Sequence, residues 1–184
     1  MAQKLTLNDA RESLTTHVTT KGAEIREKYG PTIGWTQLQQ ILLDREIVRY
    51  PCELAFEAEP LEPGECAYAH GKGERPEDGF TLYIHPYFMT DPNRIPALAL
   101  YQLVVVNYGT FASPADAEAF GATVLGIPVD SYYESLCGMA DEILPPEEQP
   151  SDFTGSSCGC ASGESTHEGT CSCSAEQGMH ACGQ

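Results

Sequence analysis

The chain has 184 residues with 10 basic and 27 acidic side chains, a net charge of −17, and is long enough for one domain of ordinary size plus an appendage. Charge of that sign is repelled by nucleic-acid phosphates and by anionic lipid, which excludes both as expected partners. Solubility is the plain reading of the acidity, and attraction of cations is the sharper one wherever ligands are also present.

The N-terminal MAQKLTLNDARESL has no apolar h-region, so it does not read as a secretory signal. Asn8 or Thr6 caps a first predicted helix that runs to about Tyr29, with Leu14, Val18 and Ile25 as a sparse apolar face, and Gly30-Pro31 ends it. A second helix is predicted from about Trp35 to Asp44, with Leu38, Ile41 and Leu42 at helical spacing. The period then changes to two. In IVRYPCELAFEAE, Val48, Tyr50, Cys52, Leu54 and Phe56 fall on one face and Arg49, Glu53 and Glu57 on the other, the pattern of a half-buried antiparallel strand. Pro51 places that strand at a sheet edge.

PLEPGE turns the chain into a second short strand, ECAYAHG. The surface turn GKGERPEDG follows, lacking P-loop spacing, and FTLYIHP makes a third strand with His85 at its end. Pro96 to Tyr108 is apolar nearly all round and is predicted to be the buried central helix, with a strand left open by its Val run. Its core, IPALALYQLVVV, is too short to span a bilayer and contains Gln102. Ser113-Pro114-Ala115-Asp116 opens another helix, with a cap, a Pro at the first position and a carboxylate near the free amides. Asp130 caps a last helix to about Leu144, with Cys137 expected to be buried in its middle. The fold class is therefore α+β: a small antiparallel sheet of about three strands packed with four or five helices, followed by a Cys-rich irregular tail.

The composition divides near Pro150. Residues 151–184 hold no Val, Ile or Leu, but five of the eight Cys, ten Ser or Thr and six Gly. Such a segment cannot offset its own conformational entropy with a hydrophobic core. The domain reading is a globular body over 1–145, a stiff charged linker over 146–150, and a tail over 151–184 that is disordered unless metal-bound or modified.

Three successive segments, FTLYIHPYF, ALALYQLVVVNYG and DAEAFGATVLGIP, resemble the strand, active-site helix and following helix of a zincin metallopeptidase. The nearest kind is the small zinc peptidases that act on phage-type repressors, in which the helix reads HExxH and the next resembles E-x-x-A-N-x-F-A-A-x-L-L-x-P. Over residues 80–128, the resemblance sets Tyr101 at the first ligand, Gln102 at the catalytic carboxylate, Val105 at the second ligand and Pro114 at the third. Ala117, Phe120, Ala122, Leu125 and Pro128 match the packing positions. Without two His and a Glu there is no zinc-activated water and no general base. The resemblance thus implies a catalytically dead zincin-like scaffold that serves as a protein-binding module.

With no secretory signal the expected compartment is the cytosol, where Cys reads first as metal ligand, reactive thiol or small buried hydrophobe. In SCGCASGESTHEGTCSCS, Cys158 and Cys160 face Cys171 and Cys173 across ten residues. In an extended segment residues i and i+2 point to one side, so each pair can present both sulfurs to one ion. Four thiolates make a soft tetrahedral site suited to zinc or copper(I), with His167, His180 and Cys182 as spare ligands. The competing readings are an unliganded tail, a reversible dithiol, and the core of a ribosomally made, modified peptide, a class that resembles this tail in being rich in Cys, Ser, Thr and Gly. In the body, Cys52 and Cys66 fall on adjacent predicted strands with His70 close by, and read as core hydrophobes ahead of a second metal site.

The sequence thus points to a scaffold rather than an enzyme: a non-catalytic metal-binding or metal/sulfur-centre accessory protein with a thiol-rich arm, zinc as its expected ion and a protein partner or client enzyme. Its alternatives are a precursor with the peptide core in 151–184 and the degenerate zincin-like module.

Overall fold

The computed structural model describes residues 7–144; the linker and the thiol-rich segment lie outside the described residues. Helix α1 (Leu7–Tyr29) buries Leu14, Val18 and Ile25, and α2 (Trp35–Leu43) buries Leu38, Ile41 and Leu42, the positions their spacing selects. Strands β1 (Cys52–Ala55), β2 (Ala67–Gly71) and β3 (Phe80–Ile84) form one sheet. Helices α3 (Ile95–Tyr108), α4 (Pro114–Leu125) and α5 (Val129–Ile143) complete an α+β body. Among the described residues no helix is long and apolar enough to cross a membrane.

The strand order is β1-β3-β2. The antiparallel pairing expected from the alternation holds for β2 with β3, where Tyr68 faces Tyr83 and Ala69 faces Leu82. It does not hold for β1, which pairs with β3 in parallel, Cys52 beside Phe80 and Ala55 beside Tyr83. Period-two alternation specifies which face of a strand is buried and says nothing of its neighbour. The connection from Phe56 to Cys66 is too long for a tight hairpin turn, so β2 is not held beside β1. The central place goes to β3, whose Leu82 and Ile84 are fully buried. Pro51 duly precedes an edge strand. Its carbonyl accepts from the Phe80 amide at 2.7 Å. Gly79 has φ +95°, and a Cβ there would stand 2.8 Å from the Pro51 carbonyl oxygen, so the entry into β3 requires a glycine.

Helix α3 is buried along most of its length, Ile95 to Leu100 together with Leu103, Val104 and Val106. The Ser113 side chain caps α4 and Asp116 returns the bond to the Ser113 amide, completing the capping box. Asp116 does more than cap. It is only 4% exposed and accepts from the Thr15 hydroxyl of α1 at 2.6 Å. At the other end of α4, Arg26 reaches the Val124 carbonyl, so α1 and α4 run side by side in the same direction. Helix α5 seats Tyr132 beside Gly121 of α4 and donates its hydroxyl to the Ala97 carbonyl of α3 at 2.6 Å. That one side chain ties three helices together.

Candidate functional site

The proposed metal ligands Cys158, Cys160, His167, Cys171, Cys173, His180 and Cys182 all lie outside the described residues. The body's own thiols are placed. Cys52 sits beside Phe80 at the start of β3, while the Cys66 carbonyl accepts from His85 just past its end. With β3 between them, the two are separated by about 16 Å along the strands and about 10 Å across them. They are not neighbours, and with His70 they cannot share an ion. His70 lies on the opposite, solvent-facing side of β2, its ring 6.0 Å from Tyr68 and 6.3 Å from Tyr83. Burial pushes the Cys52 thiol up to about 12 and the Cys66 thiol up to about 11. Both are protonated at neutral pH, as small core residues are.

Cys137 differs from expectation: it is exposed. Helix α5 buries only Tyr132 and Met139. At about 100° per residue Cys137 stands roughly 140° round the helix from Tyr132, on the face turned away from the core. With the exposed Tyr133 and the half-buried Leu136 and Ala140, which pack against the core edge, it makes one wall of a cleft of about 360 Å³, at i, i+3, i+4, i+7 spacing along the helix.

The start of β2, the middle of α3 and Glu118 of α4 make the other walls. Tyr101 and Gln102 both line the cleft. The Gln102 amide donates to the Ala67 carbonyl at 2.8 Å, so its side chain is tied to β2 instead of being free to activate a water. Burial raises Tyr101, and the Glu118 carboxylate adds to that rise. Its neighbour Cys137 raises Tyr133. Both phenols therefore stay neutral and offer hydrogen bonds. Two carboxylates, Glu65 and Glu118, line the cleft, with no Lys, Arg or His among its described residues. Val105 lies further along α3 and is 37% exposed. A phenol, an amide and an isopropyl group do not fit a hydrolytic zinc. Among the described residues no group of three or more His, Cys, Asp or Glu is gathered to hold a metal ion.

Glu65, Glu118, Tyr133 and Cys137 were not marked as site residues by the sequence, because the turn before β2, α4 and α5 bring them together. The i, i+3, i+4, i+7 face of α5 was the one local signal. Comparison of the chain with protein-family models, with curated proteins and with solved structures gives no match.

Proposed function

We propose that this is a non-catalytic metal-binding accessory protein. Segment 151–184 takes one soft ion, zinc or copper(I), and the body is the scaffold that presents it to a protein partner. The observation that carries the reading is the pair of Cys-x-Cys motifs, Cys158/Cys160 and Cys171/Cys173, in a segment without a single Val, Ile or Leu. Thiolate ligation supplies folding free energy to a sequence that has no core of its own. Four thiolates on a divalent ion leave a charge of about −2 beside Glu164 and Glu168, which works against the site. Replacement of one sulfur by His167 relieves that repulsion, and His180 and Cys182 remain as further ligands. The body supports the reading from the other side. Burial raises the Cys52 and Cys66 thiols, so both stay protonated as small core residues do and neither is a ready metal ligand.

A second reading rests on the cleft. A mostly apolar cavity beside β2, with Gln102 and Tyr101 where the zincin resemblance sets a base and a ligand, suits a protein-binding module derived from a peptidase scaffold. The two readings are compatible, since an accessory protein needs a surface for its client.

Intact mass of the protein purified from its native host tests the first reading. Metal mass present under non-denaturing conditions and lost on acidification is expected. Loss of about one water per modified Ser, Thr or Cys would instead identify a precursor whose core is matured by partner enzymes, and would overturn the metal reading.

A further inference from the structure

Basic side chains are scarce in this chain, 10 against 27 acidic, and three of them meet at one cavity of about 230 Å³. It lies between α1, the turn that follows α2 and the C-terminal end of α3. His17 and Lys21 come from one face of α1, Arg45 and Arg49 from the turn, and Asn107 and Tyr108 from α3. The turn is fixed in place. The Arg49 amide donates to Asn107 Oδ1 at 2.9 Å, and Asn107 Nδ2 donates to the Ile47 carbonyl at 2.9 Å. Val48 between them is fully buried. His17 stands edge-on to the Tyr108 ring, with centroids 5.8 Å apart. The walls are thus set without a ligand.

The charges at this cavity are only partly cancelled. Lys21 pairs with Glu24 at 2.6 Å. Glu46, which also lines the cavity, is held by Lys28 at 3.1 Å, and Lys28 holds Asp44 as well. Among the described residues Arg45 and Arg49 have no carboxylate in ion-pair contact. Burial raises the Tyr108 hydroxyl, and the positive charges of Arg49 and Lys21 work against that rise. Two exposed guanidiniums without an ion-pair partner at one cavity stand out in a chain with 10 basic side chains against 27 acidic ones.

We propose that this cavity is a binding site for a small phosphate-bearing anion, gripped by the Arg45 and Arg49 guanidiniums, with Lys21, His17 and the Tyr108 hydroxyl as further donors. A guanidinium offers a planar fork of donors that matches phosphate oxygens, and such charge-assisted bonds are the strong ones. The volume admits a phosphate with a short substituent and falls below the range for drug-sized ligands. The acidic surroundings repel polyanions, which selects against nucleic acid.

Calorimetric titration of the full chain with inorganic phosphate, phenyl phosphate and benzoate tests it. Saturable binding of the two phosphates at one site per chain is expected, weakened about tenfold or more by Arg45→Gln and by Arg49→Gln, and unchanged by Arg75→Gln in the exposed turn before β3. Arg45→Lys keeps the charge and loses the fork, so it retains part of the affinity. Melting without ligand checks that each variant folds. Absence of saturable heat, tighter binding of benzoate than of phenyl phosphate, full affinity in Arg45→Lys, or equal loss in Arg75→Gln would overturn the proposal.

Discussion

Replacing Gly121 by Ala drives a methyl group into the Tyr132 ring. The ring has nowhere to go, because Tyr132 is fully buried and its hydroxyl is bound to the Ala97 carbonyl at 2.6 Å. Overpacking of this kind costs about 1–3 kcal/mol, and collision with two ring carbons and the hydroxyl oxygen argues for the upper end. Exchange of Gly for Ala inside a helix returns about 1 kcal/mol. The net expectation is a loss of about 1–2 kcal/mol. In a Tyr132→Leu background the collision disappears, and the same Gly121→Ala change should stabilise by up to about 1 kcal/mol. The coupling between the two sites is then about 2–3 kcal/mol. Urea unfolding of the four proteins at pH 7, followed by far-UV circular dichroism, measures it. A neutral or stabilising Gly121→Ala in the wild type, or additivity across the cycle, would refute the packing of α5 on α4, and with it the wall that carries Tyr133 and Cys137 into the cleft.

Gln102→Glu sets an acceptor-only carboxylate against the Ala67 carbonyl, so a loss of about 1–2 kcal/mol is expected at pH 7. The loss should shrink as pH falls and the new carboxyl gains a donor proton; pH-independent stability in this variant would contradict the contact. Burial pushes the Asp116 carboxyl up, but hydrogen bonds from Thr15 and Ser113 outweigh it and leave it below the usual value, while Lys28 and Tyr29 hold Asp44 at about 2. The unfolded chain therefore binds these protons more readily. Stability is full above about pH 4 and is lost as pH falls through the lowered folded values. Asp116→Asn should cost about 1 kcal/mol at neutral pH and flatten that acid slope, and an unchanged slope would count against the Thr15 tether. A chain ending at Gln149 should melt cooperatively at nearly the full-length temperature, because every Val, Ile and Leu precedes it; a broad, non-cooperative melt would make the thiol-rich segment structural.

What the sequence made legible follows from the range of each signal. The apolar circumference of α3 and the Ser113-to-Asp116 start of α4 are local patterns, and the structure contains both. Asp116 as a tether to Thr15 was not legible, since the partners are 101 residues apart and each reads locally as an ordinary polar helix residue. The parallel pairing of β1 was missed for a related reason: alternation of Val48, Tyr50, Cys52 and Leu54 marks a buried face, whichever strand lies beside it. Cys137 was misplaced because Leu136 and Met139 flank it with apolar side chains, although Met139 faces the core and Cys137 faces out. The cleft needs β2, α3, α4 and α5 at once, and no single stretch of sequence announces it.

Competition of the fully reduced protein with a colorimetric zinc chelator tests the central claim most directly. One zinc per chain is expected in the wild type and in Cys137→Ser, which changes only a thiol of the body's cleft wall. Binding should be abolished when Cys158→Ser and Cys171→Ser are combined, since each change breaks one Cys-x-Cys pair. Equal affinity in that double variant and in the wild type would contradict the account, and would leave segment 151–184 without the metal that its four paired thiols are proposed to hold.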